Sequence, residues 1–129
     1  MNDPNEDVSL LDASAVLAVL FGESGADLVK AAGPHLLISA VNAEEVLSKL
    51  ARSGMPLDTA VEAIESLHLE VLPFGAAEAT ESARLSTIKT LSLGDRACLG
   101  TAAVHQCQVL TADRQWKAAA TRMRITFIR

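Results

Sequence analysis

Five short apolar runs set the frame for this chain: Val8-Ser-Leu-Leu11, His35-Leu-Leu-Ile38, Leu69-Glu-Val-Leu72, Gln108-Val-Leu-Thr111 and Ile125 to Ile128. Each has the length of a buried strand rather than of a helix. Between them the apolar residues recur at helical spacing. Ala13 to Leu20 and Ser24 to Ala32 predict two helices, the second stopped by Gly33-Pro34. Asn42 opens a helix with Val46, Leu47, Leu50 and Ala51 on one face, ended by Gly54 and Pro56, and Leu57 to Leu67 repeats the pattern through Ala60, Val61 and Ile64. Gly75 to Lys89 reads as a further helix, Gly94 and Asp95 open a long one to about Gln106, and a short one follows Asp113. Strands separated by helices require crossover connections, so the sheet is mainly parallel and covered on both faces. The predicted class is therefore α/β, with functional groups gathered at strand ends, above all where the strand order reverses.

No repeat, low-complexity tract or Pro/Gly/Ser linker interrupts the 129 residues, which predicts one domain over 1–129. Half the residues are apolar, which excludes intrinsic disorder. Only 3% are aromatic and none is tyrosine, so the core is aliphatic and alanine-rich, with no ladder of rings for stacking bases. The longest near-continuous apolar stretch, Ala13 to Phe21, is too short to span a bilayer. The opening Met-Asn-Asp-Pro-Asn-Glu-Asp is acidic where a secretory signal is basic, which predicts a cytoplasmic protein without export or membrane association. Cys98 and Cys107 are too few for a disulfide framework and read as packing residues. His35, His68 and His105 show no metal or triad spacing.

Charge is unevenly spread. Residues 114–129 hold Arg114, Lys117, Arg122, Arg124 and Arg129 with no acid, a net of +5, while the rest of the chain carries −10. General nucleic-acid binding draws on cations against phosphate, so an acidic chain needs bound metal ions, or this C-terminal strip, to play that part. The strip reads equally as a solvated edge.

Four acids stand out by position: Asp12 after the first strand, Glu45 in the first turn of a helix, Asp95 at another helix start and Asp113 after Val109-Leu-Thr111. Singly, each has a structural reading. Asp12, Asp95 and Asp113 suit N-caps, and Asn42-Ala-Glu-Glu45 has capping-box spacing. Together they tell more. Carboxylates converging at ~5 Å in an effective dielectric of ~20 repel by roughly 3 kcal/mol per pair, so a cluster requires protonation or cations. Oxygen-only ligands select hard ions, Mg²⁺ or Mn²⁺, whose chemistry on phosphodiesters is activation of water and neutralisation of phosphoryl charge.

The same residues carry a family resemblance. Leu10-Leu-Asp-Ala-Ser-Ala-Val-Leu-Ala-Val-Leu20, Ile38-Ser-Ala-Val-Asn-Ala-Glu-Glu-Val-Leu-Ser-Lys-Leu50, Leu91-Ser-Leu-Gly-Asp-Arg-Ala-Cys-Leu-Gly-Thr-Ala-Ala103 and Val109-Leu-Thr-Ala-Asp-Arg-Gln-Trp116 resemble the PIN-domain ribonucleases, in particular the VapC-type toxins of toxin–antitoxin pairs. The resemblance spans nearly the whole chain in order. It implies a three-layer α/β/α sandwich around a parallel five-stranded sheet. It also implies a Mg²⁺- or Mn²⁺-dependent site of Asp12, Glu45, Asp95 and Asp113 that hydrolyses RNA, leaving 5′-phosphate and 3′-hydroxyl ends. Glu45 rather than Glu44 matches the family acid, since it stands three after the Asn and directly before Val-Leu. Ser14 and Thr111 match hydroxyl positions that would orient carboxylates or water. Two departures are Arg96 where a small residue is usual, placed to meet substrate phosphate or shield the acids, and Trp116 where Phe is common.

By the same resemblance the partners are an RNA substrate, a cognate antitoxin and a second copy of the chain, in a homodimer or a toxin–antitoxin hetero-oligomer. The 57–67 helix and the one before it would leave an apolar groove for the antitoxin, and an antitoxin Arg placed among the carboxylates would displace the metal. Two other readings stand beside this one. The first is a phosphoryl-transfer domain with Asp12 as nucleophile and Lys89 or Lys117 assisting, although Ser14 occupies the place where such enzymes carry a second Asp. The second is a non-catalytic, dimeric binding module whose acids are only caps.

Overall fold

The computed structural model describes residues 8–121 and 123–129, so the acidic N-terminal segment read above as lacking an export signal, and Arg122, lie outside the described residues. Five strands form one parallel sheet: β1 (Val8–Leu11), β2 (His35–Ser39), β3 (Glu70–Leu72), β4 (Gln108–Thr111) and β5 (Ile125–Phe127), in the order β3-β2-β1-β4-β5. From the central β1 the chain first builds outward through β2 and β3. It then returns to the other side of β1 for β4 and β5, so the order reverses between β1 and β4.

Six α-helices and a 3₁₀ helix connect the strands: α1 (Ala13–Phe21), α2 (Ala26–Lys30), α3 (Ala40–Arg52), α4 (Leu57–Glu65), α5 (Ala76–Ala83), α6 (Leu93–His105) and the 3₁₀ helix Arg114–Thr121. Side chains alternate across the inner strands, and both faces are buried. Leu11, Ile38 and Leu110 join one core with Val16, Val46 and Leu50, while Leu10, Leu37 and Val109 join the other with Cys98, Leu99 and Trp116. This is the α/β/α sandwich expected. The core is aliphatic apart from Trp116, which is fully buried and is the largest such side chain. Among the described residues no helix is long and apolar enough to cross a membrane.

Several helix bounds differ from the sequence reading: the helix expected over Ser24 to Ala32 spans Ala26–Lys30, and the one expected over Leu57 to Leu67 ends at Glu65. The helix expected to open at Asn42 begins at Ala40, because Ser39 at the end of β2 is still extended and its hydroxyl accepts the Val41 N–H. The helix expected from Gly94 begins at Leu93 with Ser92 as cap. The helix expected to reach Lys89 ends at Ala83 and gives way to turns over 84–87, ahead of a run of weak helix formers, Ser86, Thr87 and Ile88.

Candidate active site

Asp12 follows β1 at the point where the strand order reverses. Its backbone N–H donates to the Leu110 carbonyl of β4 (3.2 Å), and its extended backbone lets the carboxylate cap α1. The carboxylate is 5% exposed and fully engaged on its inner side. Oδ1 accepts from the Ser14 hydroxyl at 2.7 Å and the Ala15 N–H at 2.9 Å, and Oδ2 accepts from the Thr111 hydroxyl at 2.9 Å. Each hydroxyl has one proton and gives it to Asp12, and each accepts a backbone N–H from the β4 end: Ala112 to Ser14 (2.9 Å) and Asp113 to Thr111 (2.9 Å). The two hydroxyl oxygens therefore stand 3.4 Å apart without a proton between them, as parallel props under one carboxylate. Burial pushes the Asp12 carboxyl up to about 6 despite these three donors, and the charge of Asp95 adds to the rise.

Asp95 lies in the first turn of α6, three residues after the cap rather than at it. Ser92 and Asp95 form the capping box: the Asp95 N–H donates to the Ser92 hydroxyl at 3.1 Å, and the Ser92 N–H donates to Asp95 Oδ2 at 2.9 Å. Glu45 sits in the second turn of α3, not the first. Its Oε1 accepts from the Asn42 amide at 2.7 Å, and the same amide nitrogen donates to the Gly94 carbonyl at 3.1 Å, joining α3 to the start of α6. The Asn42–Glu45 spacing read as a capping box is thus a side-chain bond inside the helix. Glu44 is exposed and accepts from Ser48, which leaves Glu45 as the acid facing the sheet end.

The charges of three of the four acids reach one buried group. The thiol of Cys98, fully buried one turn into α6, is raised well above its usual value, first by burial and then by charge that includes Asp12, Asp95 and Glu45. Cys98 is thus a packing residue beneath the acids, as expected, and remains protonated. Asp113 joins through its backbone on Thr111, while its carboxylate accepts the Gln115 N–H at 2.9 Å and caps the 3₁₀ helix. As placed, no group of three or more His, Cys, Asp or Glu among the described residues is close enough to hold an ion. Each acid bonds a neighbouring donor, and the charge of Asp12 is made costly chiefly by its burial.

The remaining candidates lie elsewhere. Arg96 turns its guanidinium back onto the Leu91 carbonyl at 3.0 Å, away from the role of a phosphate contact. His35 and His68 are exposed, and His105 lies 3.4 Å from Glu78. Of the basic C-terminal residues, Arg124 donates to the Gln106 carbonyl and Arg129 to that of Ser24. Asn42 and Gly94 were missed as site residues. The Asn-x-x-Glu spacing was visible in the sequence, but the contact of Asn42 with a glycine 52 residues away was not.

The PIN-domain sequence profile matches residues 9–121, most of the chain and all four acids. The chain belongs to the PIN-domain family. The fold of this PIN domain is shared with several solved structures. A toxin–antitoxin complex from Klebsiella pneumoniae superposes with a TM-score of 0.74 at 18% identity, over 94% of this chain and 98% of that one. VapBC2 from Rickettsia felis, bound to a promoter DNA fragment, gives 0.75 at 12% identity over 93% and 98%. VapC20 from Mycobacterium tuberculosis, a toxin that cleaves the sarcin–ricin loop, gives 0.70 at 15% identity over 89% and 95%. No protein of curated function matches the sequence.

Proposed function

We propose that this PIN domain is a divalent-metal-dependent endoribonuclease of the VapC type, acting in the cytoplasm and held in check by a cognate antitoxin. What supports the reading is that the buried Asp12 stands at the crevice between β1 and β4, where parallel sheets collect their chemistry, and that charge from Asp95 and Glu45 reaches the same region from α6 and α3. The donor set suits Mg²⁺ or Mn²⁺. It is all oxygen, it is acidic, and the buried Asp12 carboxyl, raised to about 6, is the group a cation would stabilise most.

Asp12, Asp95, Glu45 and Asp113 would hold the ion, which on binding lowers the pKa of water and offsets charge on the phosphoryl oxygens. Ser14 and Thr111 keep the Asp12 oxygens oriented, leaving lone pairs outward. Ser92 fixes Asp95 in the first turn of α6. A role for Asp12 as covalent nucleophile fits less well, since it is 5% exposed and both its oxygens already accept hydrogen bonds.

The Klebsiella and Rickettsia neighbours are toxin–antitoxin assemblies, and the α4 face has exposed Leu57 and Val61 for an antitoxin segment to cover. Incubation of the free protein with total RNA, followed by mapping of new 5′ ends, tests the reading. Cleavage with Mg²⁺, abolished by EDTA, leaving 5′-phosphates and tolerating 2′-deoxy substitution at the cut, is the expected result. Cleavage undiminished in EDTA, or dependent on the 2′-hydroxyl, excludes it.

A further inference from the structure

We propose that Asn42 is a positioning residue: its buried amide seats the Glu45 carboxylate over the bare Cα of Gly94, so that α3 and α6 present their acids to the same divalent ion. The proposal rests on the metal-dependent reading above and assigns roles to two residues outside the acid set.

Three features of the contact run against stability, and Glu45 placement accounts for each. First, Asn42 is 1% exposed inside a helix, where asparagine is a weak helix former and an apolar residue would pack at no polar cost. Second, its amide protons go to Glu45 Oε1 at 2.7 Å and the Gly94 carbonyl at 3.1 Å, while its own Oδ1 is buried with no hydrogen-bond partner among the described residues. A buried acceptor left bare is a cost that the two donated bonds must offset. Third, Gly94 lies in the first turn of α6, where glycine weakens a helix. A Cβ there would stand 2.7 Å from Glu45 Cδ and 2.9 Å from Oε2, closer than side chains approach. Its absence leaves the space that the carboxylate fills.

The two residues therefore act on the same group from opposite sides, one by bonding it and the other by making room. Gly94→Ala is the sharper probe. Alanine is the better helix former, and the atoms it would strike are the flexible end of Glu45, so the fold survives while the carboxylate is pushed off its seat.

Titration of Mn²⁺ into the intact chain, followed by calorimetry, tests this in the wild type, Asn42→Ala and Gly94→Ala, and again with each combined with Glu45→Ala. Circular dichroism and cooperative melting confirm the fold. Each single variant is expected to lose ~10–100-fold in Mn²⁺ affinity, the range for residues that orient a ligand. In the Glu45→Ala background neither is expected to lower it further, because both act through Glu45. Should Asn42→Ala not fold, Gly94→Ala decides alone. Unchanged affinity in Gly94→Ala, or the same loss with and without Glu45, overturns the positioning role even if the wild type binds Mn²⁺ and cuts RNA. A wild type that binds no Mn²⁺ overturns this role together with the nuclease reading.

Discussion

At Asp12 two demands on one carboxylate conflict. Capping α1 and accepting from Ser14 and Thr111 favour the charge, yet burial lifts the carboxyl from 3.8 to about 6. Between these values the folded chain holds a proton that the unfolded chain has released. Stability from this group is therefore greatest at acid pH, is lost as pH rises from about 4 to about 6, and is flat above. The gap corresponds to at most about 3 kcal/mol. Asp12→Asn keeps a good N-cap and removes the charge. In EDTA at pH 7.5 the variant is expected to melt above the wild type, with the difference shrinking towards pH 4, while it binds no Mn²⁺ and cuts no RNA. Thermal melts across pH check the first part, and equal melting temperatures at pH 7.5 would contradict it. Thr111→Val, nearly the same shape, removes the donor to Asp12 Oδ2 and the acceptor of the Asp113 N–H. It is expected to weaken Mn²⁺ binding by ~10–100-fold, measured by calorimetry.

Among elements, β1 and β4 could be read from the sequence to the residue, because in both an apolar run ends where the next residues must turn towards a helix or loop. Their ends also hold Asp12, Thr111 and, two residues on, Asp113, so half of the candidate site was legible as punctuation. The starts of α3 and α6 were harder. Asn42 and Asp95 have capping chemistry, but Ser39 and Ser92 lie three residues earlier and take the caps, which frees Asn42 to bond Glu45 and makes Asp95 the return half of a box. For α3, choosing between two polar residues three apart depends on where β2 stops, and that is set by pairing across the sheet. Ser92→Ala is expected to destabilise the chain by about 1 kcal/mol, read as a lower urea midpoint at unchanged slope. Trp116, buried without exposure beside β4 and α6, is a packing residue, and Trp116→Ala is expected to cost about 3–5 kcal/mol in the same measurement.

For the whole molecule, alternation of helix and strand was enough to give the class, but strand order was not legible. Parallel strands of this length pair in several orders, and the buried contacts that choose β3-β2-β1-β4-β5 lie far apart in the chain. That order sets Asp12, at the end of β1, beside Thr111 at the end of β4, and the proposed metal site depends on it. An acidic chain with a net charge of −5 then reaches RNA only if a cation reverses the sign at the crevice. A binding cation also stabilises the fold by mass action, by about 2.7 kcal/mol at one hundred times its dissociation constant. The most direct test is anomalous scattering from a crystal of the protein soaked in Mn²⁺. The account predicts a manganese peak within coordinating distance of oxygens from Asp12 and Asp95, with Glu45 and Asp113 turned towards it directly or through water. A well-diffracting crystal with no peak in that crevice, or with manganese bound only elsewhere, would contradict it.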